Sequence, residues 1–468
     1  MLGIQLAELL DAEPPGVDEA LGLVAGLDDA LGHGLGRLGP ESAAALADLA
    51  GAVATAPLGP AAAEAAEKIA AGSPTEEHLA ALAGARTALL GAVHDALLGT
   101  LDAALGRDRE PWRQPPSESV RRSGGPLAGS RSWLGELAIG GWRGVGHDLV
   151  AAADPTIEAL LAEPDRRRLA VLLDGLAGEL RACAPVGAMD RLPGRRWADL
   201  WSRALLLSQD GAAPDGSVGG EPADPVSGRL LPLGVDVHEH GTAVQAQLHA
   251  VLEPAGGAPA RLVRASVGAA KVDTIVGPAV WRLLHRHPAL LAALAEHRAL
   301  DIADMPLLAG GDLVWRDDLA TAGEPADAFA TARVALAGAV AGPVPPLDRH
   351  PVRIAEPVFV EGYETDGASL LLDGRSLAFD LDRLPACGPL TPQLVAASTA
   401  CVGLLRWDAG RWALQPLAVQ ATVKRRQVAA HGGDWALGVT DPKIAKAEAR
   451  AGDAVAVLRE RAGRLLRK

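Results

Sequence analysis

The chain has 468 residues, which is long for a single hydrophobic core and predicts two to four domains. Its formal net charge of −14 argues against a general binder of nucleic acid or another polyanion, because such proteins usually carry a broad basic field. The three cysteines form no C-x-x-C pair, which argues against a zinc ribbon and against a disulfide framework.

The N-terminus and the hydropathy of the chain bear on its location. The opening "MLGIQLAELLDAEPPG" has acids where a signal peptide needs bases. No stretch reaches the roughly 20 uninterrupted apolar residues of a membrane span. We therefore expect a cytoplasmic protein without a membrane partner.

Residues 1–106 are mostly helix formers broken by Gly and Pro, and they predict a helical bundle. In "SPTEEHLAAL", Ser73 is placed to cap a helix that runs to about Leu105. Residues 107–131 are rich in Pro, Gly, Ser and charge, and they predict a linker.

Residues 132–209 predict a second helical region, and residues 210–228 predict a flexible loop. In "GRRWADLWSRALLLSQ" the residues Trp197, Trp201 and Leu205 share one helix face, which is typical of a core anchor. The loop that follows has eight Gly or Pro positions in nineteen.

From residue 229 to 440 the pattern changes, and we expect an α+β domain with antiparallel sheet. "RLLPLGVDVHEH", "TAVQAQLHAVLE" and "ARLVRASVG" alternate apolar and polar residues, as strands do. Helices are predicted at about 277–286, 288–299 and 325–341, followed by further strands. "DAG" predicts a hairpin turn between Trp407 and Trp412, which should face each other.

Residues 441–468 predict a long C-terminal helix of roughly 25 residues that begins at Pro442. Its basic end suits the helix macrodipole and also makes it a candidate interaction surface. The basic residues are Arg459, Arg461, Arg464, Arg467 and Lys468. The whole chain is thus expected to be α+β, with a mainly helical N-terminal half.

The candidate chemistry centres on "GVDVHEHGTAVQAQ". His238 and His240 would share one strand face with Asp236, and His249 is the nearest third ligand for a metal ion. The alternative interpretation is a solvated hairpin face that continues through Gln245 and Gln247, and we favour it because ligand spacing alone is a weak signal. No cofactor is predicted, because the chain lacks the G-x-x-x-x-G-K-[ST] motif of P-loop nucleotide-binding proteins and its Gly-rich stretches do not follow a strand. It also lacks the G-x-S-x-G motif of serine hydrolases.

Two tracts, "RWADLWSRALLLS" and "CVGLLRWDAGRWALQPLAVQA", resemble poorly characterised proteins of GC-rich bacteria. Those proteins are encoded beside a SWIM-type zinc-finger protein, a MoxR-type AAA ATPase and a von Willebrand factor A protein. The resemblance implies an accessory or scaffold component of an ATPase-linked system, with defence as one setting. It carries over neither a zinc site nor a catalytic residue.

Three functions follow as hypotheses. The leading one is a non-catalytic adaptor or scaffold whose partners are other proteins, such as an AAA ATPase or a von Willebrand factor A protein. The second is a metal-dependent enzyme that uses His238 and His240. The third is a nucleic-acid-associated protein that uses "VKRRQ" and the basic C-terminus.

Overall fold

The computed structural model describes residues 1–113, 125–163, 166–209, 223–451, 455–457 and 460–461. Helices make up the N-terminal half and sheets dominate the C-terminal half, which confirms the α+β class. The fold therefore has three parts: a helical bundle, a first sheet and a second sheet.

The helical bundle buries leucine, alanine and tryptophan side chains. Trp142, Trp197 and Trp201 are completely buried in its core, which confirms the predicted aromatic face. Trp142 and Trp197 meet edge to face with ring centroids 6.1 Å apart. The helices are α1 (Gly3–Asp11), α2 (Val17–His33), α3 (Pro40–Ala52), α4 (Gly59–Ala70), α5 (Glu76–Leu105), α6 (Pro126–Gly140), α7 (His147–Ala151), α8 (Asp154–Leu161), α9 (Arg167–Cys183) and α10 (Gly194–Leu207).

Helix α5 has 30 residues and belongs to two hydrophobic cores. Leu79 and Leu82 pack in the helical bundle, whereas Leu97 and Leu101 pack against the second sheet. By length and composition this helix could cross a membrane, but half of its most apolar window is buried within the protein. That burial is what the core helix of a folded domain shows.

Two predicted boundaries in this half are wrong. Thr75 caps α5 by accepting a hydrogen bond from the His78 amide, so the cap lies two residues after Ser73. The linker predicted for 107–131 overlaps α6, because Pro126 occupies the first helical turn, where proline fits. The predicted flexible loop 210–228 lies outside the described residues as far as 222, and a strand begins at Asp224.

The first sheet contains six strands, five of which form a closed ring. The strands are β1 (Asp224–Glu239), β2 (Ala243–Pro254), β3 (Arg261–Ala270), β4 (Arg298–Leu307), β5 (Asp312–Leu313) and β6 (Ala320–Pro325). Their order is β1-β2-β3-β5-β4-β6, and β1 also pairs with β4. We call β1 to β5 the closed ring; helix α11 (Pro288–Glu296) packs against its core through Leu290 and Leu294.

The second sheet contains seven strands in the order β7-β11-β12-β10-β9-β8, with β13 paired to β12. They are β7 (Ala355–Glu361), β8 (Glu364–Thr365), β9 (Ser369–Leu372), β10 (Arg375–Phe379), β11 (Ser398–Asp408), β12 (Arg411–Val423) and β13 (Arg426–His431). Trp407 pairs with Trp412 across the Ala409–Gly410 turn, which confirms the predicted hairpin. Both turn residues have positive φ, as this tight turn requires.

Other helices of this half are shorter than predicted. Residues Gly277–Leu284 form a 3-10 helix, and the helix predicted for 288–299 ends at Glu296, where strand β4 takes over after one residue. Helix α12 (Ala328–Ala335) covers part of 325–341, and α13 (Pro392–Val395) is one turn long. The structure describes α14 (Pro442–Ala451), while most of the predicted C-terminal helix beyond it lies outside the described residues.

Candidate metal centre

The hairpin around the H-x-H pair forms as predicted. His238 pairs with Gln245, Asp236 pairs with Gln247, and the His240 amide donates to the Ala243 carbonyl across the turn. His240 is exposed at that turn and His238 is partly exposed. The register of β1 and β2 is therefore the one that the alternation predicts.

The expectation of one solvated face is wrong for Asp236 and His249, which are both buried. The reason is that β1 lies against strand β12 of the second sheet. A Cβ atom added to Gly234 would lie 2.6 Å from the Leu417 Cβ, so the two backbones approach closely at this point. Period-two alternation identifies a shared face but does not reveal that another sheet covers half of it.

Asp236 joins the two sheets through a buried polar network. Its carboxylate accepts from the Arg406 guanidinium at 2.7 Å and from the Gln415 amide at 2.8 Å, and His238 Nε2 lies 2.9 Å away. Burial alone would raise the pKa of Asp236, but His238, Arg406 and Gln415 outweigh burial and hold the pKa well below its usual range. Asp236 is therefore a charged structural link between the sheets.

His249 does not join the H-x-H pair. It is opposite Gly234, four residues along β2 from Gln245, which separates it from His238 by about 13 Å at the usual strand rise. Burial lowers the pKa of His249 to about 3, so its ring is neutral, and its Nε2 has no hydrogen-bond partner among the described residues. The structure thus does not bring His238, His240 and His249 together.

A different set of ligand atoms does converge. In the described part of the chain, one group of three metal-ligating side chains has its atoms within 4.8 Å of one another, and it consists of His297, His431 and Asp434. His297 Nε2 lies 2.7 Å from Asp434 Oδ1, and His431 Nδ1 lies 3.4 Å from the same oxygen. The two imidazole rings are 4.2 Å apart between centroids.

The backbone that presents His297 is a helix end. His297 follows α11 with a φ of 53°, the left-handed conformation that terminates many helices and that non-glycine residues rarely adopt. Its carbonyl accepts from the Ala326 amide, which fixes the chain before β4 begins. This junction aims the ring of His297 towards the end of β13.

The backbone that presents the other two ligands is the tight turn "HGGD" after β13. The Asp434 amide donates to the His431 carbonyl, and Asp434 Oδ2 accepts from the His431 amide at 3.0 Å. A Cβ on Gly433 would lie 3.0 Å from the Leu294 Cβ on α11, so glycine allows the turn to approach that helix. The turn therefore brings both ligands beside His297.

The charges of the cluster suit a cation. Burial alone would raise the pKa of Asp434, but the hydrogen bonds with His297 and His431 outweigh it and hold that pKa well below the usual range. The hydrogen bond with Asp434 in turn raises the pKa of His297. One carboxylate thus remains negative between two imidazoles over the physiological range.

The ligand chemistry fits a first-row transition metal. Two imidazole nitrogens and one carboxylate oxygen suit zinc or iron, which bind such atoms at about 2.0–2.2 Å. Ligand atoms at that bond length lie about 3.3 Å apart around a tetrahedral ion. The 3.4 Å between His431 Nδ1 and Asp434 Oδ1 matches that spacing, whereas the 2.7 Å between His297 Nε2 and Asp434 Oδ1 is a hydrogen-bond distance that has to lengthen by about 0.6 Å when an ion binds. Three protein ligands would leave at least one coordination position for water.

Sequence reasoning missed this centre, although part of its signal is visible. His431 and Asp434 are three residues apart in "HGGDW", a spacing that a tight turn folds into one site. His297 lies 134 residues earlier than His431, and it becomes a neighbour because the turn after β13 packs against α11 at Gly433 and Leu294. Spatial convergence of this kind has no local sequence pattern.

The predicted basic interaction surface falls largely outside the described residues. Arg461 is described and exposed in a helical turn, whereas Arg459, Arg464, Arg467 and Lys468 lie outside the described part of the chain. In "VKRRQ", Lys424 and Arg425 form the positive-φ turn between β12 and β13. Those two bases therefore project at a hairpin tip.

Comparison with protein-family models, curated proteins and solved structures gave no match.

Proposed function

We propose that the protein is a non-catalytic adaptor in which one divalent transition-metal ion fastens the closed ring to the second sheet. The observation that carries this proposal is the convergence of His297, His431 and Asp434 within 4.8 Å. His297 immediately precedes β4 of the closed ring, whereas His431 ends β13 of the second sheet. An ion bound to all three would cross-link the two sheets.

The surroundings of the site support a structural ion rather than a catalytic one. The cavity next to His297 and His431 measures about 20 Å³, which accommodates a water molecule but no organic substrate. Substrate pockets usually measure about 300–1,000 Å³. Cavities of about 330 and 310 Å³ occur elsewhere, and none of the three residues lines them.

The metal proposal is tested by titrating metal-free protein, purified without a histidine tag, with zinc. We expect one zinc ion per chain and a higher melting temperature, because a ligand of the folded state stabilises it. Magnesium prefers six oxygen ligands and should neither bind nor stabilise. Less than 0.2 zinc per chain at saturation, with no change in melting temperature, would overturn the proposal.

Variants separate this centre from the H-x-H pair. Asp434→Asn and His431→Ala each remove one ligand and should weaken zinc binding by more than roughly 100-fold, since even outer-shell changes cost 10–100-fold. His240→Ala is the matched control, because His240 is exposed at the β1–β2 turn. Equal loss of zinc in His240→Ala would move the site back to the H-x-H pair.

The adaptor part of the proposal concerns protein partners in the cytoplasm. The resemblance of the tracts around Trp197–Trp201 and Trp407–Trp412 suggests an AAA ATPase or a von Willebrand factor A protein as partner. Co-purification from the native host should recover such a protein in a stable complex. Recovery as a lone monomer at physiological salt would contradict an adaptor role.

We also propose that the C-terminal helix continues beyond Ala451 and provides the basic contact for that partner. The residues are Arg459, Arg461, Arg464, Arg467 and Lys468. Deletion of residues 458–468 removes all five basic residues and keeps Val455, which is buried in the core of the first sheet. It should abolish co-purification while the melting temperature of the remainder stays unchanged. Retention of the partner by the truncated chain would place the contact elsewhere.

A metal-dependent enzyme is the second candidate, and the observation that favours it is the open coordination position of a three-ligand site. A zinc-bound water near pH 7 is a strong nucleophile. Zinc-dependent hydrolysis of a p-nitrophenyl ester or phosphate, lost in His431→Ala, would favour an enzyme over a structural ion.

A further inference from the structure

A second candidate site lies in the helical bundle, far along the chain from the metal centre. A cavity of about 310 Å³ opens between α2 and the start of α10. Leu21 and Val24 give it an apolar wall, whereas Trp142, Arg143 and Arg195 give it hydrogen-bond donors. A pocket of this size with a few polar groups is typical of a small-molecule site.

The indole of Trp142 points to an absent hydrogen-bond acceptor. Trp142 is completely buried, lines the cavity, and its Nε1–H has no partner among the described residues. Other buried indoles of this bundle are satisfied: Trp201 donates to the Leu134 carbonyl at 2.9 Å, and Trp197 donates to Glu179. An unpaired buried donor costs free energy that a ligand oxygen would recover.

The N-terminus of α10 adds backbone donors at the same place. This helix has 14 residues and begins at Gly194, which lines the cavity together with Arg195. No side chain caps this end, because Pro193 occupies the cap position. Uncapped first-turn amides and the positive end of the helix dipole favour an anion.

The charges around the cavity select a monoanion. Asp28 is neutralised by Arg86, which donates to it at 2.7 and 3.1 Å. Asp29 adds a formal negative charge to the lining, and the exposed Arg143 and Arg195 add two formal positive charges. The formal sum of these five residues is +1, from three arginines and two aspartates. A ligand with a single negative charge balances this net charge of +1, whereas a phosphate dianion would leave an excess negative charge.

We propose that this cavity binds a small organic monocarboxylate with a compact apolar body. The carboxylate accepts hydrogen bonds from Arg195, the Trp142 indole and the first turn of α10, and the apolar body lies against Leu21 and Val24. The site is independent of the metal centre, because none of the metal ligands lines this cavity.

Calorimetric titration with benzoate and hexanoate tests the proposal, with benzamide as the neutral analogue of benzoate. We expect both carboxylates to bind with dissociation constants below roughly 1 mM, and benzamide to bind at least about 10-fold more weakly. No binding of either carboxylate at about 10 mM, or equal binding of benzamide, would overturn the proposal. Tighter binding of inorganic phosphate than of benzoate would also overturn it.

Matched variants place the carboxylate within the cavity. Arg195→Leu should weaken benzoate binding at least about 10-fold, whereas Arg191→Leu, an exposed arginine four residues earlier that does not line the cavity, should leave it unchanged. Trp142→Phe retains the ring but removes the N–H and should also weaken binding. Unchanged binding in both Arg195→Leu and Trp142→Phe, with circular dichroism showing folded proteins, would contradict this assignment.

Discussion

At the residue scale, the buried contact of Asp236 with Arg406 makes a sharp prediction about stability. Asp236→Ala leaves a buried guanidinium without its carboxylate, and we expect it to lower the free energy of unfolding by about 3 kcal/mol. Urea unfolding at pH 7 measures this loss. Asp301→Asn, on the exposed side of β4, is the control and should change stability by less than about 0.5 kcal/mol.

The burial of His249 predicts that the free energy of unfolding depends on pH. Its folded-state pKa is about 3, below the ordinary value of 6.5, so the unfolded chain binds a proton first as pH falls. Its contribution to stability is therefore present above pH 6.5 and is lost progressively between pH 6.5 and 3. His249→Leu should reduce that acid-induced loss of stability in urea unfolding at pH 7, 5.5 and 4. Wild-type and variant curves that fall in parallel would contradict the prediction.

Individual residues also mark the limit of sequence reasoning. Spacing correctly placed Asp236 and His238 on one face of β1, because strand periodicity is local. It did not reveal that Asp236 is buried, since Arg406 and Gln415 lie about 170 residues later. His297 and Asp434 were not identified for the same reason. The side chains that contact one another in these polar clusters come from distant segments of the chain.

At the element scale, a substitution at the junction between α11 and β4 can test backbone strain and metal binding separately. His297→Gly suits the positive φ of this position, so we expect the stability of the metal-free protein to change by less than about 1 kcal/mol. The same change removes one ligand and should abolish the zinc-dependent rise in melting temperature. A retained zinc response in His297→Gly would exclude His297 as a ligand.

The pH response of this junction has a definite direction. The hydrogen bond with Asp434 raises the pKa of His297 in the folded protein. The ion pair therefore contributes its full stability to the metal-free protein at pH values below the pKa of His297 in the unfolded chain. This contribution is lost as pH rises through the higher pKa of His297 in the folded protein. Zinc acts in the opposite direction, because it binds only the neutral imidazole. Zinc affinity should therefore begin to fall, on acidification, at a higher pH than for an unperturbed histidine.

Elements with a strong local signal were predicted well. The two tryptophans across the Ala409–Gly410 turn and the hairpin β1–β2 were both identified from alternation and turn residues. Strand β4 was missed because "RALDIADMPL" follows a helical stretch without a Gly or Pro break; the break is His297 in a left-handed conformation. Strand β5 has two residues, too short for a period, and β6, "ATAGEP", does not alternate large apolar residues with polar ones.

At the scale of the whole molecule, the α+β division was visible in composition and periodicity, whereas the arrangement of the parts was not. The closed ring depends on the pairing of β1 with β4, which joins residues about 75 positions apart. The second sheet covers the first through contacts of longer range still, such as that of Asp236 with Arg406, 170 residues later. Sequence patterns describe one element at a time, so the centres that form between elements emerge only from packing.

Helix α5 has a consequence for how the molecule opens. Leu79 and Leu101 lie on the same helix but belong to different hydrophobic cores. Local unfolding of the bundle therefore disturbs the helix that also packs against the second sheet. Amide protons along the middle of α5 should therefore exchange with deuterium only through global unfolding, and with one common free energy of opening after correction for their intrinsic exchange rates. A lower free energy of opening in the half that contains Leu79 would mean that the bundle opens first. If the free energies agree, the two cores behave as one cooperative folding unit, and a destabilising change in either one shortens the lifetime of both.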